Sequence, residues 1–330
     1  MKSSGAKSTG SGKKNPYISV LLPVYNEEEN IDLQYSKIIE ALKPLKKTYE
    51  VLFIDDGSTD KSYDLLKKIA AKDKNIKVIK FRKNFGQTAA MSAGIDFAQG
   101  EIIIFMDSDL QNDPADIGRL LEKINEGYDV VSGWRKDRQD KLFSRKIPSR
   151  IANRIISKVS GVKLHDLGCS LKAYRSDVLK HVKLYGEMHR FIPIHASWIG
   201  ANITEIPVMH HARQYGSSKY GIKRTFKVIL DLITVKFLGS YAAKPIYLYG
   251  GFGMLMMFSS AISGIAVVLM KILKGVDMSG NPLLLLTVLF ILLSVILALM
   301  GLQAEVMIRI YHQTDEKSNY YVKETFNVKK

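Results

Sequence analysis

The chain has 330 residues, 46% hydrophobic and 24% charged, a balance ordinary for a soluble protein and a length that suits one globular domain plus an appendage. Its 48 Lys and Arg against 32 Asp and Glu leave a net charge of +16, which calls for an anionic partner: nucleic acid, anionic lipid or a phosphorylated substrate. A single cysteine, Cys169, excludes an intramolecular disulfide and fits a reducing compartment.

Residues 1–14 are mostly Ser, Gly, Lys and Thr with no apolar core, so they read as a disordered leader and not as a signal peptide. From Tyr17 to Gly133, strands and helices alternate as in a parallel α/β sheet. A strand over 17–22 breaks at Pro23-Val24-Tyr25-Asn26-Glu27, and helical periodicity follows over 28–43. A second strand, 49–54, ends in Asp55-Asp56-Gly57-Ser58, where Ser58 or Thr59 can cap a helix running to Lys72. A third, 76–80, leads into the polar run 82–87 and a helix to Ala98. The fourth, 101–106, stops abruptly at Asp107-Ser108-Asp109, with Gln111 and Asp113 beyond.

Each polar cluster falls at a strand's C-terminal end, so all converge on the sheet edge where open α/β folds bind ligands. Asp107 and Asp109, one residue apart, can grip a hard divalent cation. Asp55 and Asp56 suit hydrogen bonds to a base or ribose, as do Asn26 and Glu27, because ionised carboxylates only accept. Asp-Gly-Ser turns are common on structural grounds alone; convergence of several clusters is what gives this one weight. No Walker A loop or G-x-G-x-x-G is present, which argues against a P-loop NTPase or a dinucleotide enzyme. The seven histidines lack metal-ligand spacing, His210-His211 being adjacent, which argues against zinc.

Further on, 141–162 interleaves an Ile147–Ile151–Ile155 stripe with Arg145, Lys146, Arg150, Arg154 and Lys158, and 222–244 repeats the idea. Both suit an amphipathic helix at a bilayer surface, or one packed on its own domain. Residues 246–270 and 283–304 carry no charge and exceed the length needed to cross roughly 30 Å of hydrocarbon. Gly250, Gly251, Gly253, Gly264, Ser259 and Ser260 suit close helix contact in the first span. The short link 271–282 makes the spans a hairpin. Lys219, Lys223, Arg224, Lys227, Lys236 and Lys244 precede it against Lys271 and Lys274 in its loop, which puts the large domain in the cytoplasm. The expected layout is a leader at 1–14, a catalytic domain at 15–221, a juxtamembrane helix at 222–244, two spans within 245–310 and a tail at 311–330. A metal-bound nucleotide-sugar diphosphate, handled at a membrane surface, fits these features.

P-V-Y-N-E-E-E-N, D-D-G-S-T-D, R-x-N-F-G-Q-T-A-A and M-D-S-D-L-Q-N-D-P, in this order, resemble the family 2 glycosyltransferases. H-D-L-G-C-S-L-K-A-Y-R at 165–175, R-Q-Y-G-S-S-K-Y-G at 213–221, and Gly301, Glu305 and Arg309 near the end are similar to the polyprenyl-phosphate hexose transferases. That group includes dolichyl-phosphate mannose synthases and the bactoprenol glucosyltransferases, and the two-span hairpin looks more like the latter. The resemblance covers roughly residues 17–312. It implies a GT-A fold: a Rossmann-like, mixed but mainly parallel sheet with helices on both faces. It also implies Asp107, Asp109 and Gln111 around Mg²⁺ or Mn²⁺, and a donor pocket of Pro23, Tyr25, Asn26, Glu27, Asp55, Asp56, Asp107 and Ser108. Arg135, Arg145, Ser149, Arg213 and Lys219 would meet the acceptor phosphate. Asp109 would be catalytic, and Asp166 a third carboxylate that orients a hydroxyl or a basic residue, unless it merely caps a turn. UDP-glucose is the favoured donor and undecaprenyl phosphate the acceptor, with GDP-mannose as the alternative. The expected setting is the plasma membrane, as a homo-oligomer with a tetramer among the options, and without nucleic acid. A processive synthase would carry Q-x-x-R-W and more spans; a non-catalytic scaffold would not need the intact Asp107-x-Asp109-x-Gln111 set.

Overall fold

The structure, a computed structural model, describes residues 15–136, 157, 161–180, 182, 184, 188–212, 245–313 and 319–328, with no side chains described over 308–313. The leader, nearly all of 141–162, the whole of 222–244, and Arg145, Ser149, Arg213 and Lys219 therefore lie outside the described residues. The chain divides into two units, Met1–Asp231 with Ser318–Lys330, and Leu232–Lys317.

In the first unit, eight strands form one sheet: β1 (Ile18–Val24), β2 (Tyr49–Asp55), β3 (Ile76–Phe81), β4 (Ile102–Phe105), β5 (Val130–Trp134), β6 (Lys172–Arg175), β7 (Ile203–Pro207) and β8 (Val322–Phe326). Their order is β7-β5-β6-β4-β1-β2-β3-β8. β1 runs parallel to β2 and β4, β2 to β3, and β5 to β7, whereas β6 and β8 pair antiparallel. The mixed, mainly parallel sheet is the expected one. Its central strands are near-continuous runs of buried Val, Ile, Leu and Phe because both faces are covered.

Alternation along β1 shows how. Ile18, Val20, Leu22 and Val24 share a core with Ile31, Ile38 and Leu42 of α1 (Ile31–Leu42), Leu66 and Ile69 of α2 (Ser62–Lys72), and Ile117, Leu120 and Ile124 of α4 (Ile117–Asn125). On the opposite face, α3 (Gln87–Phe97) comes so close that a Cβ on Gly94 would sit 2.9 Å from Leu21 Cδ1. Two helix starts differ from the sequence reading. Residues 27–30 form a turn before α1, where the Asn30 N–H donates to the Glu27 carbonyl (2.9 Å). Ser58 and Thr59 do not cap α2; its first residue, Ser62, donates its N–H to Asp60 Oδ1 (2.9 Å), while the Ser58 hydroxyl serves the neighbouring loop.

The tail holds a further surprise. After the apolar helices the chain adds β8 to the free edge of β3. Tyr63 OH donates to Glu324 (2.6 Å), and Asn327 Nδ2 donates to the carbonyls of Ala70 (2.6 Å) and Ile76 (2.9 Å).

The first unit also holds a short helix, α5 (Ile192–Trp198), and the second unit contains two long ones, α6 (Ile246–Lys274) and α7 (Pro282–Gln313). Gly275, in the left-handed region at φ +60°, ends α6 by donating its N–H to the Lys271 carbonyl (3.1 Å). Both helices are long and apolar enough to cross a membrane, and little of either is buried. A core helix of a soluble protein would bury its large side chains; here Met254 is 72% exposed and Leu285 68%. The buried residues of α6 are instead Gly253, Ser260, Ser263 and Val267. Thr287 Oγ1 donates to Ser263 Oγ (2.9 Å), Ser260 Oγ to the Thr287 carbonyl (3.2 Å), and a Cβ on Gly253 would lie 3.3 Å from the Ser294 carbonyl. Small and hydroxylated residues make the contact, as expected for helices in lipid. Gly253 and Gly264 face the second helix; a Cβ on Gly251 would meet nothing.

Candidate active site

The C-terminal ends of β1, β2 and β4 lie side by side, which gathers the loops that follow them. The loop after β1 is stitched to the loop after β2. Asn26 N–H donates to Ser58 Oγ (3.0 Å), Thr59 N–H to Asn26 Oδ1 (2.8 Å), and Glu27 N–H to Ser62 Oγ (2.9 Å). Asn26 makes these contacts in the left-handed region, at φ 54°, which asparagine tolerates well. Ser108 Oγ donates to the Pro23 carbonyl (2.8 Å) and so ties the β4 loop to the same knot.

Asp55 and Asp56 divide the work between them. Asp55 Oδ1 accepts from Ser58 N–H (3.0 Å), but its Oδ2 is buried with no hydrogen-bond partner among the described residues. Burial raises its pKa, with Ser58 pulling the other way. Such an oxygen is an acceptor awaiting a donor. Asp56 is spoken for: it accepts from Phe85 N–H (2.7 Å) and Gly86 N–H (2.9 Å) and thereby holds the β3–α3 loop. Burial pushes its pKa to about 6 despite those two bonds. The approach is close, since a Cβ on Gly57 would fall 2.4 Å from the Lys83 carbonyl carbon.

Asp107 and Asp109 stand at the end of β4. Asp107 is pushed up to about 6, first by burial and then by the charge of Asp109, while Arg135 and Arg190 pull it down. Gln87 Nε2, from the first turn of α3, donates to Asp107 Oδ1 (2.7 Å). Asp109 Oδ1 accepts from Gln111 N–H (3.2 Å) across Leu110, whose φ of 61° places a bulky residue in the left-handed region. That strain, of order 1–3 kcal/mol, persists only where surroundings enforce it. They do: the His211 N–H donates to the Gln111 carbonyl (2.9 Å), His211 Nε2 pairs with Asp113 Oδ2 (3.0 Å), and Met209 N–H donates to Asp116 (2.7 Å). Among the described residues, no group of three or more His, Cys, Asp or Glu could hold a metal alone. Two crowded carboxylates with a nearby glutamine do fit a hard cation whose remaining ligands come from a diphosphate and water.

Arg135 and Asp166, given separate roles by the sequence reading, form a bidentate pair. Arg135 Nε donates to Asp166 Oδ2 (2.7 Å) and Nη2 to Oδ1 (3.0 Å), and Gly168 N–H adds a turn-capping bond to Oδ1 (3.1 Å). Burial works against the guanidinium's charge, but Asp166 more than offsets it, so the pKa of Arg135 is raised. Asp166 therefore pairs with the Arg135 guanidinium and accepts the Gly168 N–H of its own turn at the same time.

Several neighbours escaped sequence reading. Lys172 pairs in register with Phe105, two residues before Asp107, and donates to the Leu167 carbonyl (2.9 Å). Burial lowers its pKa to about 8. His189 Nδ1 meets Thr88 Oγ1 (2.8 Å) at the start of α3, and burial, then Arg190 and Lys172, take it down to about 3, leaving a neutral ring. Gln87 could have been suspected from its motif. Lys172 sits within the motif at 165–175 but was given no role there, and His189 and Arg190 carry no local signal, since only the chain's return brings them in. Cys169 is buried with its thiol pushed up to about 11, in keeping with an inert core residue.

Residues 19–183 match the family described as Glycosyl transferase family 2. The chain is 41% identical over 323 residues to the dodecaprenyl-phosphate galacturonate synthase of Rhizobium johnstonii, covering 94% of this chain and 93% of that protein. It is 34% identical to the undecaprenyl-phosphate 4-deoxy-4-formamido-L-arabinose transferase of Edwardsiella ictaluri, covering 93% of each. In fold it is similar to glucosyl-3-phosphoglycerate synthase from Mycobacterium tuberculosis, solved with Mn²⁺, uridine diphosphate and phosphoglyceric acid. The TM-score is 0.52 at 17% identity, over 68% of this chain and 78% of that one. With the strand-end carboxylates, the mainly parallel sheet and full-length relatives in agreement, the chain belongs to glycosyltransferase family 2, with the GT-A fold.

Proposed function

We propose that this protein transfers a sugar from a nucleoside diphosphate to a polyprenyl phosphate, with inversion at the anomeric carbon. The observation that carries this reading is the meeting of two crowded carboxylates, Asp107 and Asp109, with the buried Lys172 and the half-buried Arg135 and Arg190 at one sheet edge. The acceptor phosphate has a second pKa of about 6, so it is largely dianionic at neutral pH and needs no strong base. A phosphate oxygen forms the new bond to the anomeric carbon as the bond to the diphosphate breaks and the nucleoside diphosphate leaves.

The difficulty is charge. At about 4 Å, like charges repel by roughly 4 kcal/mol per unit pair at an effective dielectric near 20. Arg135 offsets part of this, kept charged and aimed by Asp166, and Lys172 and Arg190 add positive charge close by. Arg145, Ser149, Arg213 and Lys219 extend the acceptor site in this reading. Asp107, Asp109 and Gln111 would hold Mg²⁺ or Mn²⁺, which when bound would neutralise the diphosphate and stabilise the leaving phosphate. On the donor side, Asp55 Oδ2 accepts from the base or ribose, while Pro23, Tyr25, Asn26, Glu27 and Ser108 shape the wall.

For the donor we rank UDP-galacturonate ahead of the UDP-glucose suggested by the resemblance. The 41% identical relative is a galacturonate synthase, and Lys172 and Arg190 supply positive charge that a donor carboxylate would meet. GDP-mannose ranks last. The apolar α6–α7 hairpin supports a bilayer setting. β8 lies beyond the hairpin yet joins the sheet built from the residues before it, which supports both hairpin ends lying on one side, the cytoplasmic one. The test supplies the full chain with a polyprenyl phosphate and Mn²⁺, and with labelled UDP-galacturonate, UDP-glucose or GDP-mannose in turn, with and without chelator. Chelator-sensitive transfer from one UDP-sugar is expected; transfer indifferent to chelator removes the metal assignment, and no transfer from any donor removes the reading.

A further inference from the structure

The C-terminal strand touches the donor loop through a continuous aromatic path. β8 pairs with β3, and the pairing shifts register between Lys80 and Phe81 just before the loop begins. Such an irregularity re-aims the residues that follow it. Tyr320 stacks on Phe81 with centroids 5.2 Å apart and planes 14° apart, and its hydroxyl donates to Asp96 Oδ2 (2.7 Å) at the far end of α3. Phe81 meets Phe85 edge-on at 5.8 Å, and Phe85 meets Tyr321 at 6.0 Å. The Arg82 N–H donates to the Tyr321 carbonyl (3.0 Å).

From Phe85 the path runs directly into the site. The Phe85 and Gly86 N–H groups are the ones held by Asp56, and the next residue, Gln87, donates to Asp107. The loop is therefore held between Asp56 and Gly57 on one side and the tail's aromatics on the other. We infer that Tyr321 is a positioning residue for the donor site: through Phe85 it fixes the loop that Asp56 grips and from which Gln87 reaches Asp107. It acts on donor binding and not on the acceptor, and it rests on the donor-site reading above.

Tyr321 suits a test because its side chain is 66% exposed, so replacing it removes the ring contact without opening the core. In the full chain, Tyr321→Ala is expected to weaken binding of UDP with Mn²⁺ and raise the donor KM by roughly three- to ten-fold, the scale of one lost aromatic contact. The acceptor KM and the thermal midpoint stay as in the parent, and Tyr321→Phe restores donor binding. Amide exchange at Phe85 and Gly86 speeds up in Tyr321→Ala, a readout that needs no donor. Unchanged exchange at these amides overturns the inference, as does unchanged UDP binding where the parent binds UDP. Failure of the parent itself to bind UDP strikes the donor-site reading instead, and the exchange data then judge the loop coupling alone.

Discussion

The two ends of one sheet carry similar residue types and treat them differently. Where the strands begin, Ser19, Glu50 and Lys77 are buried in a closed polar knot. Ser19 Oγ and Gln99 N–H donate to Glu50 (2.5 and 2.7 Å), Gly100 N–H donates to Ser19 Oγ (2.8 Å), and Lys77 forms an ion pair with Glu50. Where the strands end, Asp55 keeps a buried oxygen without a partner among the described residues, and Asp56 and Asp107 are pushed to about 6. At the first end the chain neutralises its own carboxylate. At the second, the described residues leave that neutralisation unfinished, which is what the proposed donor and metal site requires.

The sharpest test of the closed end is Glu50→Ala, which strands Lys77 and should cost about 3–5 kcal/mol of stability, read from the denaturant midpoint, with the donor KM unchanged. At the open end, Asp109→Asn should lower transfer by about 100- to 1,000-fold while leaving the metal-free thermal midpoint level or higher, because it relieves the crowding of Asp107. A large stability loss there would erase the contrast. Asp56 gives a smaller, pH-dependent effect. Its folded pKa is raised from 3.8 to about 6, so its contribution is fully present below about 3.8 and is lost as pH rises through about 6. The loss amounts to about 3 kcal/mol, and Asp56→Asn should flatten that window in a chelator-treated melt. The mildest change is Gln87→Ala, expected to weaken Mn²⁺-dependent UDP binding by about three- to ten-fold in calorimetry, through loss of one hydrogen bond to Asp107.

The parallel half of the fold was legible because its signals are local. β1 to β4 are short apolar runs each ending in a polar cluster, and strand direction alone brings Asp55, Asp56, Asp107 and Asp109 to one edge. Helix starts were less legible, since Ser58 looks like a cap in sequence but its hydroxyl is taken by Asn26 across 32 positions. The Arg135–Asp166 pair joins residues 31 apart, and Lys172 reaches the site only because β6 runs antiparallel to β4. β8 was invisible for the same reason, taken further. Val322–Phe326 has half-buried ends and an exposed middle with no alternation, and its partners lie 241 to 248 positions earlier (Phe81 for Val322, Val78 for Phe326). No window of sequence contains both halves of such a contact.

The position of β8 also sets an order of events during synthesis. A ribosome reaches residues 322–326 only after both greasy helices have been synthesised, so the sheet gains its eighth strand last. Until then β3 presents a bare edge, and the aromatic brace on Phe85 is missing. Completion of the loop that Asp56 grips is thereby scheduled behind synthesis of the hydrophobic hairpin.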